Sequence, residues 1–495
     1  MLLSPENLHR LDKRVGVPNY DRREVRTGIV HFGVGAFHRS HQATYLDHLM
    51  NRGHALDWGI WGVGVMPHDV AARDAFVKQD GLYTVLVRHG SGELEARVVG
   101  SLVGYTYAPS NPSGVLDILT NVETRIVSLT VTEGGYNLDP SSGEFDFANP
   151  LIQKDLLDSD NPSTIFGFIV EALRRRKEQG VLPFTVMSCD NVESNGDVTR
   201  QSIVSFAKLR DSDLAEWINS EVSFPNSMVD RITPATTPDD VLTISENFGI
   251  DDAWPVVCET FTQWVLEDKF SDARPPLEEV GVQLTEDVEP YERMKLRLLN
   301  GGHQALAYSG ALAGFTYAHE AASDPVFVEY LLGYMKSEVL PTLSSVPGTD
   351  LDEYIATLIA RFSNPAIRDT ISRLCAFSSD RIPKWILPVI RFNLARGGEV
   401  MRASAVVAAW ARYAEGVDEE GVEVDIQDRL RDDLMRSAQE QYVDPLAFLR
   451  NQQIFGELVE SPEFVRCYVE CLQSLHEVGA YRTLEYLNET LATSK

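Results

Sequence analysis

An α/β fold with a mostly parallel sheet, followed by a largely α-helical region, is the architecture that the sequence predicts. Three observations carry that expectation. Short apolar runs alternate with helical stretches through the first half. The first of these runs passes directly into a glycine turn and a helical pattern. From about Pro290 the strand-like runs give way to long helical stretches. Alternating strands and helices imply parallel pairing with helices on both faces of the sheet.

The elements follow in order. Gly28 to Phe32 reads as a buried strand, Gly33-Val34-Gly35 as a turn, and the pattern from Ala36 to about Asn51 as a helix. A second apolar segment, Trp58 to Val65, ends in the turn Pro67-His68-Asp69 and leads into a helix over Val70 to Gln79. Further buried strands are expected at Arg125 to Thr132 and Phe184 to Cys189, with a helix of the Phe166 to Lys177 type between them. Beyond Pro290 helices are expected over Tyr291–Leu312, Asp324–Glu338, Asp350–Arg361 and Met401–Glu415.

The 495 residues suffice for two to four domains at about 150 residues each. Asp plus Glu number 73 against 44 Lys plus Arg, a formal charge of -29, so a polyanion is repelled and nucleic acid is not an expected partner. Five scattered cysteines form no closed disulfide framework and fit a reducing compartment, with the cytoplasm as the expected location. No basic-then-apolar leader opens the chain and no run of about 18 apolar residues follows, so neither export nor membrane insertion is expected. Cys467 and Cys471 share a helical spacing but lack nearby metal-ligand partners and read as core.

A glycine turn between a buried strand and a helix lets backbone N–H groups approach a pyrophosphate. Gly33 and Gly35 supply two of the three usual glycines, His38 stands at the third position, and Ala36, Phe37 and Arg39 complete the turn. His38 and Arg39 are expected to add donors to phosphate. Asp69, just past the second strand, is the expected acceptor for ribose hydroxyls and would repel a 2′-phosphate, favouring NAD over NADP. Asp57 and Asp74 are its competitors. A Rossmann-type dinucleotide-binding domain is thus expected over 1–284, with a mainly helical substrate and catalytic domain over 285–495.

Four polar residues follow Pro290 at helical spacing. At 100° per residue, Glu292 lies about 60° from Lys295, His303 about 80° and Asn300 about 140°, so they share one arc with Leu296 and Leu299. Gly301-Gly302 costs about 1 kcal/mol per glycine in a helix interior, which suggests close approach by a backbone or a ligand. Spacing alone equally allows a solvated face with a helix break at the glycines. Alcohol oxidation needs a base for the hydroxyl proton, a part open to a desolvated lysine, and neutral donors for the developing alkoxide, a part open to asparagine. Asn191, at the C-terminal end of a strand, stands where open α/β sheets place ligand contacts, and reads equally as a turn residue.

Four motifs together resemble the mannitol dehydrogenase family, the polyol-specific long-chain dehydrogenases, over nearly the whole chain. They are Gly33 to Arg39, Thr132-Glu133-Gly134-Gly135-Tyr136, Phe224 to Pro234, and Lys295-x4-Asn300-Gly301-Gly302-His303. The resemblance implies Lys295 as general base, Asn191 and Asn300 as the oxyanion pair, and Glu292 on the proton route to solvent. It further implies Asp230, His303, Arg373 and, with less to distinguish it, Lys384 as polyol contacts. Thr132, Glu133 and Gly134 join the cofactor set. It implies a metal-free, NAD-dependent interconversion of a polyol and its ketose, D-mannitol with D-fructose first. D-Arabinitol, or a uronate (fructuronate or tagaturonate), is the alternative substrate, and an NAD-sensing binding protein is the non-enzyme alternative. No partner beyond the small-molecule substrate is expected, and the chain is read as a monomer or weak oligomer. Ala376-Phe377 stands where the family's mannitol enzymes tend to carry Asp-Gly, which bears on sugar preference. Tyr291-x-x-x-Lys295 also matches the short-chain dehydrogenase pair, but those enzymes are about half this length and carry another glycine pattern. His319-Glu320 continues to Ser323 where a zinc motif needs His.

Overall fold

The computed structural model describes residues 1–139 and 142–492. The chain divides into two compact units, Met1–Glu289 and Pro290–Lys495. The strands, numbered in chain order, are β1 (Thr27–Phe32), β2 (Gly59–Gly64), β3 (Tyr83–Arg88), β4 (Leu94–Val99), β5 (Leu102–Tyr107) and β6 (Ile126–Leu129). They continue with β7 (Thr185–Ser188), β8 (Ser227–Asp230), β9 (Val256–Glu259), β10 (Gln263–Glu267) and β11 (Gln283–Thr285).

In the first unit five of these form a parallel sheet in the order β5-β2-β1-β6-β7. Alternation along each strand sends Val30, Phe32, Val127, Leu129 and Val186 to one face, where they meet Leu116, Phe168 and Phe206 from helices. Ile29, Ile60, Ile126 and Met187 take the other face with Tyr45, Leu46 and Trp264. A parallel sheet buried on both faces explains why its strands read as nearly continuous apolar runs. The flanking sheets, β4-β3-β9 and β11-β10-β8, mix antiparallel and parallel pairs. Among their strands β4, Leu-Glu-Ala-Arg-Val-Val, breaks the apolar run with the less buried Glu95 and Arg97.

The helix expected from Ala36 to Asn51 is two, Ala36–Ser40 and Gln42–Asn51, because His41 leaves helical geometry with φ -117° and ψ -92°. The helix Val70–Gln79 has the limits read from the sequence, and Ile165–Gln179 contains the stretch expected there.

The second unit is mainly helical. Its first helix, Glu289–Lys295, runs through a π turn over Leu296–Asn300 into Gly301–Leu312, which is buried almost all round. No helix break occurs at the two glycines. A Cβ on Gly301 would lie 2.9 Å from Tyr334 Oη, and one on Gly302 would lie 2.6 Å from Met335 Cε and 3.2 Å from the Phe362 ring. The close approach inferred from the glycine pair is thus made by neighbouring side chains. The helix Met401–Tyr413 packs between Gly301–Leu312 and the C-terminal helical segment Pro462–Ala492, which is kinked at Gly479, φ 85° and ψ 172°. Cys467 and Cys471 are buried, unoxidised core residues.

Candidate active site

The turn after β1 is built for close approach. Gly33 has φ +90°, and a Cβ there would stand 2.1 Å from Thr130 O, so only glycine fits. A Cβ on Gly35 would meet only Gly33 O, at 3.8 Å, which leaves open space beside the backbone where a phosphate can approach. Beneath the turn His31 shares hydrogen bonds with Ser128 Oγ at 2.8 Å and Thr130 Oγ1 at 2.9 Å. Burial pushes the His31 imidazole down to about 3, so it is neutral at physiological pH.

His38 and Arg39, expected as phosphate donors, are turned into the core. The His38 ring is buried and stacked on His31, with centroids 3.5 Å apart, and burial holds its pKa well below the usual range. Arg39 turns into the core: Nη1 donates to Trp254 O, and the guanidinium lies over the Trp254 ring at 4.2 Å and the Tyr83 ring at 5.2 Å. Both side chains are buried, His38 1% and Arg39 5% exposed. Ala36 opens the following helix, and the Phe37 ring stacks on His41 at 4.9 Å.

The three candidate carboxylates separate cleanly. Asp69 stands past the C-terminal end of β2, where its Oδ2 accepts from Met66 N–H at 2.8 Å. A Cβ on Gly64 would lie 2.5 Å from Asp69 Cβ, so the bare glycine is what admits this carboxylate to the strand end. Asp57 precedes β2 and pairs with Arg125 at 2.8 Å, and Asp74 pairs with its neighbour Arg73 at 2.7 Å.

After β6 the chain enters the exposed segment Thr132-Glu133-Gly134, and Thr132 adopts φ +66°, ψ 170°, a region costly for a β-branched residue. Asp190 explains it. Its carboxylate accepts from Val131 N–H at 2.9 Å, Thr132 N–H at 2.8 Å and Tyr136 Oη at 2.7 Å. Burial raises the Asp190 pKa, while these donors oppose the rise. The segment carrying the exposed Asn191 is fixed in turn, since Asn195 Nδ2 donates to Asp190 O at 2.9 Å and to Ser227 O at 2.8 Å. Asp190 and Asn195 were missed in the sequence. Their one signal is the Asp-Asn pair at a strand end, whose second member, Asn191, is the exposed one. Asp230, the last residue of β8, is buried opposite Gln263.

In the second unit Lys295 is 6% exposed, Glu292 5%, Asn300 6% and His303 8%, a set too buried for a solvated face. The π turn sits between Lys295 and Asn300. Its wide turn closes with Gly301 N–H on Leu296 O, an i→i+5 bond that brings residues five apart about one full turn round. The about 140° separation expected from regular α geometry is thereby reduced. His303 stacks on Phe362 at 4.1 Å. Tyr291 Oη donates to Pro347 O at 2.8 Å, which fixes the hydroxyl on a backbone carbonyl. Arg373 forms a two-point pair with Asp369, Nε to Oδ1 at 2.5 Å and Nη2 to Oδ2. Lys384 is exposed on the helix Ser378–Trp385. Among the described residues no group of three or more His, Cys, Asp or Glu stands where it would hold a metal ion. No described helix is long and apolar enough to cross a membrane.

Residues 27–279 match the model for the mannitol dehydrogenase Rossmann domain, and residues 287–476 that for the mannitol dehydrogenase C-terminal domain. The chain belongs to the mannitol dehydrogenase family. Within that family it is 45% identical over 482 residues to a mannitol 2-dehydrogenase of Aspergillus fumigatus, covering 96% of each chain. A mannitol dehydrogenase of Saccharomyces cerevisiae is 44% identical over 480 residues, 96% of this chain and 95% of that one. Among solved structures, the Pseudomonas fluorescens mannitol 2-dehydrogenase ternary complex with NAD and D-mannitol aligns with a TM-score of 0.91 at 47% identity, covering 99% of this chain and all of that one. A D-sorbitol dehydrogenase in substrate-free form aligns with a TM-score of 0.90 at 36% identity, covering 97% of this chain and all of that one.

Proposed function

We propose that the protein is an NAD-dependent polyol dehydrogenase that interconverts D-mannitol and D-fructose. The observation that carries this reading is the likeness, over 99% of the chain, to an enzyme solved with NAD and D-mannitol. The turn at Gly33 and Gly35, with open space at Gly35 and Asp69 at the end of β2, fits a dinucleotide without a 2′-phosphate. Thr132, Glu133 and Gly134 complete that set. When bound, NAD accepts the hydride from the alcohol carbon.

Lys295 takes the hydroxyl proton in oxidation and returns it in reduction. Asn191 and Asn300 donate to the oxygen as negative charge develops there, which favours the transition state over the ground state. Glu292, one helical turn before Lys295, passes the proton onward. Asp230 and His303 contact polyol hydroxyls, and Lys384 is assigned to the same task. Arg373 acts there already neutralised by Asp369. This pairing favours a neutral ketose over a uronate, whose carboxylate would call for an uncommitted cation.

Initial rates with NADH on D-fructose, D-xylulose and D-fructuronate test the assignment. D-Fructose is expected to give the highest kcat/KM. A higher value for D-xylulose makes the enzyme an arabinitol dehydrogenase, a higher value for D-fructuronate makes it a uronate reductase, and no turnover on any polyol or ketose leaves an NAD-binding protein.

A further inference from the structure

Beside the five-stranded sheet the first unit contains a cavity of about 280 Å³, lined by parts of the helix Gln42–Asn51, by β3 and β4, and by the turns after β3, β8 and β9. None of its lining residues belongs to the five-stranded sheet or to the cofactor and polyol sets assigned above. We propose that this cavity binds a small phosphomonoester, its phosphate held by Arg97, Arg231 and His89 and its carbon part seated on Val85, Val87 and Tyr45.

Charge is the first argument. In a chain of net charge -29, the cavity wall carries two guanidinium groups, those of Arg97 and Arg231. Arg97 shares its charge with Asp47, whereas Arg231 donates to backbone carbonyls, so its charge is open to an anion. Both groups are held in place beforehand. Arg97 Nε donates to Asp47 at 3.0 Å, and that carboxylate is already engaged by Tyr20 Oη at 2.8 Å and Gly100 N–H at 3.0 Å. Arg231 donates to Ser40 O at 2.5 Å and to Glu259 O at 3.0 Å. A fixed guanidinium loses little freedom when an oxyanion arrives.

A polar atom lacking a hydrogen-bond partner is the second. His89 Nε2 is buried without one, because Glu95 Oε2, at 3.7 Å, is beyond hydrogen-bond reach. A phosphate oxygen in the cavity would satisfy it. Glu95, the carboxylate on the wall, has its side chain 61% exposed, where solvent screening weakens its repulsion.

The third is size and lining. The volume exceeds what a bare phosphate fills and falls below the usual range for drug-sized ligands, which starts at about 300 Å³. Val85, Val87 and the Tyr45 ring supply apolar surface, and the Thr44 and Thr262 hydroxyls, which donate to Arg39 O and Tyr45 Oη, keep their oxygens as acceptors for a sugar hydroxyl. A metal is not the occupant these residues suit, since no three described ligating side chains converge.

The test is calorimetric titration of the full chain with three probes: glucose 6-phosphate, inorganic phosphate and glucose. Glucose 6-phosphate is expected to bind saturably, more tightly than inorganic phosphate, while glucose gives no heat, and neither saturating NADH nor D-mannitol displaces it. Arg97→Gln is expected to weaken binding about tenfold or more, the loss of one charge-assisted contact. His89→Gln, at a partly exposed position, is expected to weaken it with an unchanged melting midpoint, so the result does not hang on the folding of the Arg97 variant. Failure of both phosphate-bearing probes to bind, displacement by NADH or D-mannitol, or indifference to both substitutions overturns the site. Equal affinity for inorganic phosphate and the ester overturns the seat for the carbon part.

Discussion

Asp190 holds Thr132 in an extended backbone with positive φ: Oδ1 accepts the Thr132 N–H at 2.8 Å while Oδ2 takes Val131 N–H and Tyr136 Oη. One buried carboxylate thereby joins the segment after β7, which carries Asn191, to the segment after β6, which carries Thr132, Glu133 and Gly134, the residues proposed for the cofactor. Such strain costs about 1–3 kcal/mol and persists where surrounding bonds enforce it.

Asp190→Asn replaces one acceptor oxygen by a donor and so releases one of the N–H groups that hold the segment. The dissociation constant for NADH is expected to rise about tenfold or more, with a smaller change in kcat at saturating NADH. Fluorescence titration of NADH beside steady-state kinetics separates the two. An unchanged NADH affinity would make the link structural only.

Asp69 gives the second prediction. The wild-type protein should reduce D-fructose faster with NADH than with NADPH at equal subsaturating concentrations, because a carboxylate at the ribose 2′ position repels phosphate. Asp69→Ala should narrow that preference about tenfold or more. A wild-type preference for NADPH would remove Asp69 from the cofactor set.

The third concerns pH. Glu338 is fully buried in the second unit, accepting from Arg402 N–H at 2.6 Å and Ala403 N–H at 2.8 Å at the start of the helix Met401–Tyr413. Burial pushes its carboxyl up from 4.5 to about 7. A raised folded-state value means the folded chain binds the extra proton, so this group's stabilisation is complete below about 4.5 and is lost as pH rises to about 7. The stability of wild type relative to Glu338→Gln should therefore fall by about 3 kcal/mol across that window. Denaturant melts of both proteins at several pH values measure it, and a difference constant with pH would refute it.

The parts of this molecule that the sequence made legible are those where one physical demand dominates. β1, β2, β6 and β7 stood out because a sheet covered on both faces requires apolar residues throughout, and Gly33 and Asp69 because turn geometry and strand ends constrain residue type. The burial of Arg39 was not legible, because the aromatic faces of Trp254 and Tyr83 that seat it are distant in sequence. The π turn between Lys295 and Asn300 has no local signature. It accompanies the packing of Gly301 and Gly302 against Tyr334 and Met335, which periodicity does not register. Asp190 was hidden for a similar reason: its partners lie about 60 residues earlier.

The proposed reaction turns on Lys295 as the base. Its most direct test is the turnover of Lys295→Ala, with and without added small primary amines, beside that of Tyr291→Phe. Lys295→Ala is expected to lose about 10²–10⁴-fold in kcat, to keep its NADH affinity and to be partly rescued by amine, with activity of the wild type rising with pH as the ammonium deprotonates. Tyr291→Phe is expected to stay near wild type, since its hydroxyl is engaged by Pro347 O. Near-normal turnover of Lys295→Ala together with loss of activity in Tyr291→Phe would contradict this account and make the tyrosine the base.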